Sequence, residues 1–171
     1  MRDPAKGLSS LRKGRRSGCD CVYFLTICLK QGSFDLDTSF ALDACLKVLK
    51  DPENVGVAET HGFVLMPDHA HLLISLQNGN QLQDMVRVFK GRMSPVLRKL
   101  GLGWQRGYYD RLLRESDSVG IVLRYMQMNP YRKSLVKTDE HWPYWFCSEK
   151  ARVWMDNDLE NDVPLPEWLG K

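Results

Sequence analysis

The sequence predicts an α+β domain built on one antiparallel sheet, with elements in the order β-α-β-β-α-β and one more helix after them. Three observations predict it. Apolar runs of strand length alternate with longer stretches whose apolar residues recur every 3.6 positions. Two of the strand-like runs are parted only by Pro67-Asp68, which makes them a hairpin. A chain of 171 residues is long enough for one domain with a real core, and a second full domain is not expected. The order is that of a ferredoxin-like, or RRM-like, sheet with an added C-terminal helix.

Residues 1–18 hold Arg2, Lys6, Arg12, Lys13, Arg15 and Arg16 among glycine and serine, and read as a flexible basic arm. The first strand is Cys21-Val-Tyr-Phe-Leu-Thr-Ile-Cys28, rich in β-branched and aromatic residues. Thr38 or Ser39 then caps a helix that places Phe40, Ala41, Ala44, Cys45, Val48 and Leu49 on one face and stops at Asp51-Pro52. The second strand runs from His61 to Met66 and the third from His69 to Leu76.

A long helix from Leu82 to Leu100 follows, with Leu82, Met85, Val86 and Phe89 giving its period and Arg87, Lys90, Arg92, Arg98 and Lys99 on its other faces. Gly101 and Gly103 end it. Trp104 to Asp110 forms a fourth strand, and Ser116 to Ser118 open a last helix that reaches Asn129 before Pro130. The main domain is thus expected over 19–136. Residues 137–171 form an acidic, Trp-rich tail (Trp142, Trp145, Trp154, Trp168) expected to pack on the domain by its rings.

The net charge of +3 conceals a division. From Asp139 onward eight acids face three bases, a balance of −5, so the rest of the chain carries +8. A basic body suits a polyanionic partner such as nucleic acid. No apolar run is long enough to span a membrane, and the basic N-terminus lacks the apolar segment of a secretory signal, so a cytoplasmic location is expected. The five cysteines (Cys19, Cys21, Cys28, Cys45, Cys147) contain no CxxC pair and are expected to be reduced thiols.

The residues that carry chemistry lie on the third strand. Side chains two apart on a strand share a face, so His69 and His71 stand side by side, about 7 Å apart at the backbone, and both can reach one metal ion. Two histidines hydrogen-bonded at a sheet surface would show the same pattern. On the last helix, Tyr125 and Asn129 are four apart and share a face. Tyr125 can serve the site or fill the core, and Asn129 can serve it or cap the helix before Pro130.

The stretch Val64-Leu-Met-Pro-Asp-His-Ala-His-Leu-Leu-Ile74 resembles the signature of the HUH nucleases, above all the single-tyrosine transposases of small bacterial insertion sequences. Arg12-Lys-Gly-Arg-Arg16, Tyr23-Phe-Leu-Thr26, Trp104-Gln-Arg-Gly-Tyr-Tyr-Asp110, Tyr125-Met-Gln-Met-Asn-Pro130 and Trp142-Pro-Tyr-Trp145 are similar to segments of the REP-associated tyrosine transposases. The resemblance covers roughly residues 10–146. It implies a single-stranded DNA endonuclease and strand transferase acting on hairpin-associated DNA through a 5′-phosphotyrosine intermediate. Tyr125 is then the nucleophile, His69, His71 and Asn129 hold the metal, and the ion is Mg²⁺ or Mn²⁺. The chain departs from these relatives at Asp110-Arg111, where they often have Asp-His.

Arg12, Lys13, Arg15, Arg16, Arg87, Lys90, Arg92, Arg106 and Arg124 are candidates for phosphate contacts, and Tyr108 and Tyr109 for base stacking. The resemblance is compatible with a monomer or a homodimer. Two other functions fit parts of the pattern. A non-catalytic single-strand-binding module would use the same kind of sheet, though no RNP pattern is present. A metal-dependent phosphodiester hydrolase would use His69, His71 and Asp68 with water as nucleophile. The acidic tail is expected to pack inertly, the alternative being competition with DNA for the basic face.

Overall fold

A computed structural model describes residues 21–51, 56–77 and 79–160. The strands are β1 (Val22–Cys28), β2 (Ala58–Leu65), β3 (His69–Leu76), β4 (Tyr109–Leu112) and β5 (Trp145–Cys147). The helices are α1 (Ser39–Lys50), α2 (Leu82–Lys99), α3 (Val119–Arg132) and α4 (Glu149–Glu160). The expected order β-α-β-β-α-β-α is present, and β5 and α4 extend it. The arm carrying Arg12, Lys13, Arg15 and Arg16 lies outside the described residues, as do Cys19 and Trp168.

The five strands form one sheet in the order β4-β1-β3-β2-β5, and every neighbouring pair is antiparallel. Strand β3 is central and nearly all buried, because helices cover both faces. Ala70, Leu72, Ile74 and Leu76 pack with Ala41, Cys45 and Leu49 of α1 and with Leu82, Met85, Val86, Phe89, Met93 and Leu97 of α2. Leu73, pointing the other way, packs with Val122, Leu123 and Met126 of α3 and with Ala151 and Met155 of α4. Alternation along β3 therefore puts His69 and His71 on the face that α3 and α4 cover.

Helix α1 starts where Thr38 Oγ1 accepts the Ala41 amide at 3.1 Å. Its buried stripe is Ala41, Cys45 and Leu49; Phe40, expected on that face, is 44% exposed and lies under the Lys99 ammonium. Strand β2 begins three residues before the expected His61, at Ala58, because a bulge between Thr60 and Gly62 breaks the alternation that marks a strand. The fourth strand is shorter than expected. Gly107 turns the chain at φ +82°, so Trp104 makes only an isolated bridge to Leu29 and its ring lies against Phe89 in the first core.

Ser118 caps α3 by accepting the Ile121 amide at 3.1 Å, and the helix continues through Pro130 to Arg132 rather than stopping at Asn129. Only two residues follow the proline, so the missing N–H costs one bond in the last turn, and both Asn129 and Pro130 are buried. The tail is more ordered than its weak periodicity implies. Strand β5 extends the sheet beside β2, while Trp142, Cys147, Ala151 and Met155 belong to the second core. The Trp142 indole donates to the Leu65 carbonyl at 3.2 Å, and the Leu65 amide donates to the Tyr144 carbonyl at 2.9 Å.

Two glycines let these layers approach. A Cβ on Gly62 would lie 2.6 Å from Leu123 Cδ2 and 3.0 Å from the Phe146 carbonyl oxygen. One on Gly120 would run into the Trp154 backbone and the Asp158 carboxylate, which accepts the Ser118 hydroxyl beside the N-terminus of α3. Beneath α4, His61 Nε2 is 2.6 Å from Ser75 Oγ and its ring meets Trp154 edge-on at 5.2 Å.

Two outcomes follow from this layer. Gly120→Ala forces backbone apart and should cost about 1–3 kcal/mol, seen as a lower thermal midpoint; an unchanged midpoint would refute the close approach of α3 and α4. Burial holds the His61 pKa below its ordinary 6.5, so the folded protein keeps this ring neutral where the unfolded chain takes up a proton. Its contribution is therefore complete above about pH 6.5 and declines as the pH falls, by at most about 1.4 kcal/mol per pH unit. Urea unfolding of His61→Gln across that range should show a shallower acid-side loss than the native chain, and parallel profiles would contradict it.

Candidate functional site

The two histidines owe their places to the hairpin and to the centre of the sheet. The Met66 amide bonds the His69 carbonyl at 2.8 Å, closing the turn through Pro67-Asp68 so that β3 starts at His69. In register, His69 lies opposite Cys28, while His71 lies between Thr26 of β1 and Val64 of β2. His71 is 8% exposed, and Phe24 stacks on its ring with centroids 4.9 Å apart.

The imidazoles meet. His69 Nε2 and His71 Nε2 are 3.0 Å apart, with the rings steeply inclined at 73°. Each outer nitrogen has an oxygen partner: His69 Nδ1 is 2.6 Å from Asp68 Oδ1, and His71 Nδ1 is 2.9 Å from Thr26 Oγ1. A carboxylate only accepts, so His69 Nδ1 carries the hydrogen and donates it to Asp68, which leaves Nε2 as the nitrogen able to bind a metal ion. The Thr26 hydroxyl can donate or accept, so it suits either tautomer of His71. Burial, with the neighbouring His69 adding to it, pushes the His71 pKa down to about 3, and the ring stays neutral at physiological pH.

Two imidazoles with outer nitrogens held and inner nitrogens converging are a donor set for a divalent metal ion. Ligand bonds of about 2.1 Å at right angles place two donors about 3 Å apart, in agreement with the spacing here. The pair fits such an ion. Among the described residues no three His, Cys, Asp or Glu side chains gather as a complete set, so further donors would come from an amide, water or substrate. Asp68 serves as the partner that orients His69, rather than as a side chain converging on the same point.

Helix α3 covers this face and carries Tyr125 and Asn129. Tyr125 is half-buried against the second core, with the Arg132 guanidinium 5.1 Å from its ring centre. Asn129 is 4% exposed, and its side chain makes no hydrogen bond among the described residues. The two lie on the layer that faces the histidines, and no hydrogen bond or ring contact among the described residues joins them to either imidazole.

The basic candidates scatter over the molecule. Arg87, Lys90 and Arg92 belong to α2, on the sheet face opposite the histidines. Arg87 pairs with Asp84 at 3.4 Å and Arg92 with Asp51 at 2.9 Å. Lys90 is committed to structure: its ammonium donates to the Gln105 and Gly107 carbonyls at 2.6 and 2.8 Å, and burial lowers its pKa. Arg124 on α3 donates to Gln127 at 2.8 Å, and Arg106 is exposed in the turn that Lys90 holds. Tyr108 corrects the stacking expectation, being 9% exposed and part of the first core; the exposed ring is its neighbour Tyr109, at 58%.

Arg132 lies outside the motifs, and Thr26, though it ends the segment Tyr23-Phe-Leu-Thr26, is given no role by them. Their signals are positional: Thr26 falls on the same face of β1 as Phe24 and Cys28, and Arg132 lies two helical turns beyond Tyr125.

Comparison with known proteins bears on the family and the fold. The model of the family described as "Transposase IS200 like" matches residues 20–129, a span that holds both histidines, Tyr125 and Asn129. A Haemophilus influenzae protein described as a REP-associated tyrosine transposase is 25% identical over 138 residues, covering 72% of this chain and 77% of the relative. The fold is similar to that of a solved REP-associated tyrosine transposase bound to a REP hairpin, at TM-score 0.61 and 21% identity over 88% of this chain and 86% of the other. A Deinococcus radiodurans structure described as a transposase aligns at TM-score 0.47 and 21% identity, over 71% of this chain and 96% of that one. No helix among the described residues is long and apolar enough to cross a membrane. With the family match running from the start of the sheet to the buried Asn129, the chain belongs to the IS200-like transposase family, whose members process DNA.

Proposed function

We propose that the chain cuts and rejoins single-stranded DNA beside hairpins, with Tyr125 as nucleophile and a divalent ion, Mn²⁺ or Mg²⁺, held by His69, His71 and Asn129. The observation that carries the reading is the meeting of the two imidazole Nε2 atoms, 3.0 Å apart, on the sheet face covered by the helix of Tyr125. A hairpin target is suggested by the solved relative bound to a REP hairpin. Two imidazoles favour Mn²⁺ somewhat over Mg²⁺. The Asn129 amide, buried and without another side-chain partner among the described residues, is suited to supply an oxygen.

The ion, when bound, supplies Lewis-acid chemistry at a non-bridging phosphate oxygen. The protein's own groups do the rest. The Tyr125 oxygen loses its proton and attacks the scissile phosphorus, forming a phosphotyrosine bond to the 5′ side. The bond from phosphorus to the 3′ oxygen breaks, and that oxygen takes up a proton to leave a 3′-hydroxyl. The phosphodiester is exchanged rather than hydrolysed, so a 3′-hydroxyl of another strand can reverse the step without ATP. The Arg132 guanidinium over the Tyr125 ring brings a fixed cation to the place where phosphate charge must be accommodated. Asp68 and Thr26 hold the two imidazoles so that both inner nitrogens point to one spot.

Incubation of the full chain with a labelled DNA hairpin library and Mn²⁺ should give a protein-linked DNA band that is absent from Tyr125→Phe, while hairpin binding by that variant persists. Cleavage without a linked band would favour a hydrolase that uses water, and binding without cleavage in either protein would favour a binding module. The orienting pair is tested separately by calorimetry with Mn²⁺. Asp68→Ala and Thr26→Val should each weaken binding by about 10–100-fold with the thermal midpoint nearly unchanged, and native affinity in both would remove the pair from the site.

A further inference from the structure

We infer that Tyr109 and Arg106 form a single-strand platform next to the histidine pair, Tyr109 stacking on a base that flanks the scissile phosphate and Arg106 contacting the backbone. This rests on the DNA-strand-transfer reading above and names the part of the chain that grips the unpaired strand.

The placement comes from strand register. Tyr109 of β4 lies opposite Thr26 of β1, and Thr26 lies opposite His71 of β3. Residues directly opposite in antiparallel strands point to the same face, so Tyr109, Thr26 and His71 form one row. Two strand spacings put Tyr109 about 10 Å from His71 at the backbone. The row continues through Val64 to Trp145 on the other side, where the chain is covered; at the β4 end it is open, and Tyr109 is 58% exposed. The Tyr109 ring is thus an open surface in line with His71. Its π face suits a base, which stacks with little regard to sequence.

The turn beside it is built to stay in place. Lys90 crosses from the α2 layer to hold the Gln105 and Gly107 carbonyls, and the Gln105 amide bonds the Cys28 carbonyl at 2.9 Å. Gly107, at φ +82°, allows the tight reversal that leads into β4. Between this turn and β1 lies a cleft lined by Cys28, Arg106, Gly107 and Tyr109. Cys28 is the register partner of His69, so the cleft opens next to the same two histidines. Arg106 is exposed on it and has no ion-pair partner among the described residues. A ring and a cation on a rigid turn, a short step from the histidines, match the needs of a single strand: a surface for the base and a charge for the phosphate.

The test is fluorescence anisotropy of the full chain, in EDTA, with a labelled DNA hairpin carrying a randomised single-stranded tail and with the same hairpin blunt-ended. Tyr109→Ala should weaken binding of the tailed hairpin roughly tenfold or more and leave the blunt one unchanged, while Tyr109→Phe and Tyr109→Trp keep native affinity. Arg106→Gln should weaken tailed binding and lower its salt dependence. Native affinity of Tyr109→Ala for the tailed hairpin, or an equal loss on both hairpins, would overturn the platform. An RNA tail bound as tightly as DNA, with the same loss in Tyr109→Ala, would overturn the assignment to DNA. The linked band formed by the native chain with Mn²⁺ separates the two failures: its presence with an indifferent Tyr109 sinks the platform alone, and absence of both band and tail binding sinks the strand-transfer reading with it.

Discussion

Everything at the site hangs on the register of β3. The strand is paired on both edges and covered on both faces, so each of its side chains has one place to go. A slip of one residue would drive His69 and His71 into the apolar layer under α1 and α2 and bring Ala70 and Leu72 to the other side. The cost of burying two imidazoles among Leu82, Phe89 and Met93 without partners excludes that alternative far more firmly than any local preference at Pro67-Asp68. The two apolar layers thus fix the histidines as surely as the hydrogen bonds to Thr26 and Asp68 orient them.

The second layer has its own constraint, which is closeness. Helix α3 comes down on β2 at a residue without a side chain, Gly62, and α4 comes down on α3 at another, Gly120. Trp142 then ties the returning chain to Leu65, the last residue of β2 before the hairpin that carries the histidines. The acidic tail, through residue 160, is accordingly a packed part of the domain, its Asp158 carboxylate receiving the Ser118 hydroxyl where α3 begins. Removing it at Val136 would strip Trp142, Cys147, Ala151 and Met155 from the core that supports Tyr125, so a truncated chain reports on folding before it reports on inhibition.

Much of this was legible in the residues themselves, and the exceptions share a cause. Alternation marked β3 to the residue, and the Thr38 and Ser118 caps marked two helix starts, because these are local signals. The start of β2 was hidden by the bulge at Thr60-Gly62, and the length of α3 by Pro130, which buried packing overrides. Strand β5 and helix α4 have little period of their own and form on surfaces made by β2 and α3. At the site, spacing alone put the two histidines on one face, and the resemblance singled them out. Thr26, the partner of His71, could not be found this way, since it is 45 residues away and only register brings it there. Lys90 looked like one cation among several on a solvated helix, and its bonds to a turn 15 and 17 residues on depend on tertiary folding.

Trp142 reaches back 77 residues to the Leu65 carbonyl, and this distance along the chain becomes a matter of timing during synthesis. The first core, made by residues from β1 to α2 and the turn beyond it, can collapse once Trp104 and Tyr108 have left the ribosome. The layer bearing Tyr125 closes only after Trp142 and α4 have emerged, so a nascent chain presents two histidines on a half-covered sheet well before Tyr125 is seated. On the strand-transfer reading, the proposed nucleophile is thus seated only once α4 has been translated, and a premature stop yields a fragment lacking the layer that seats it.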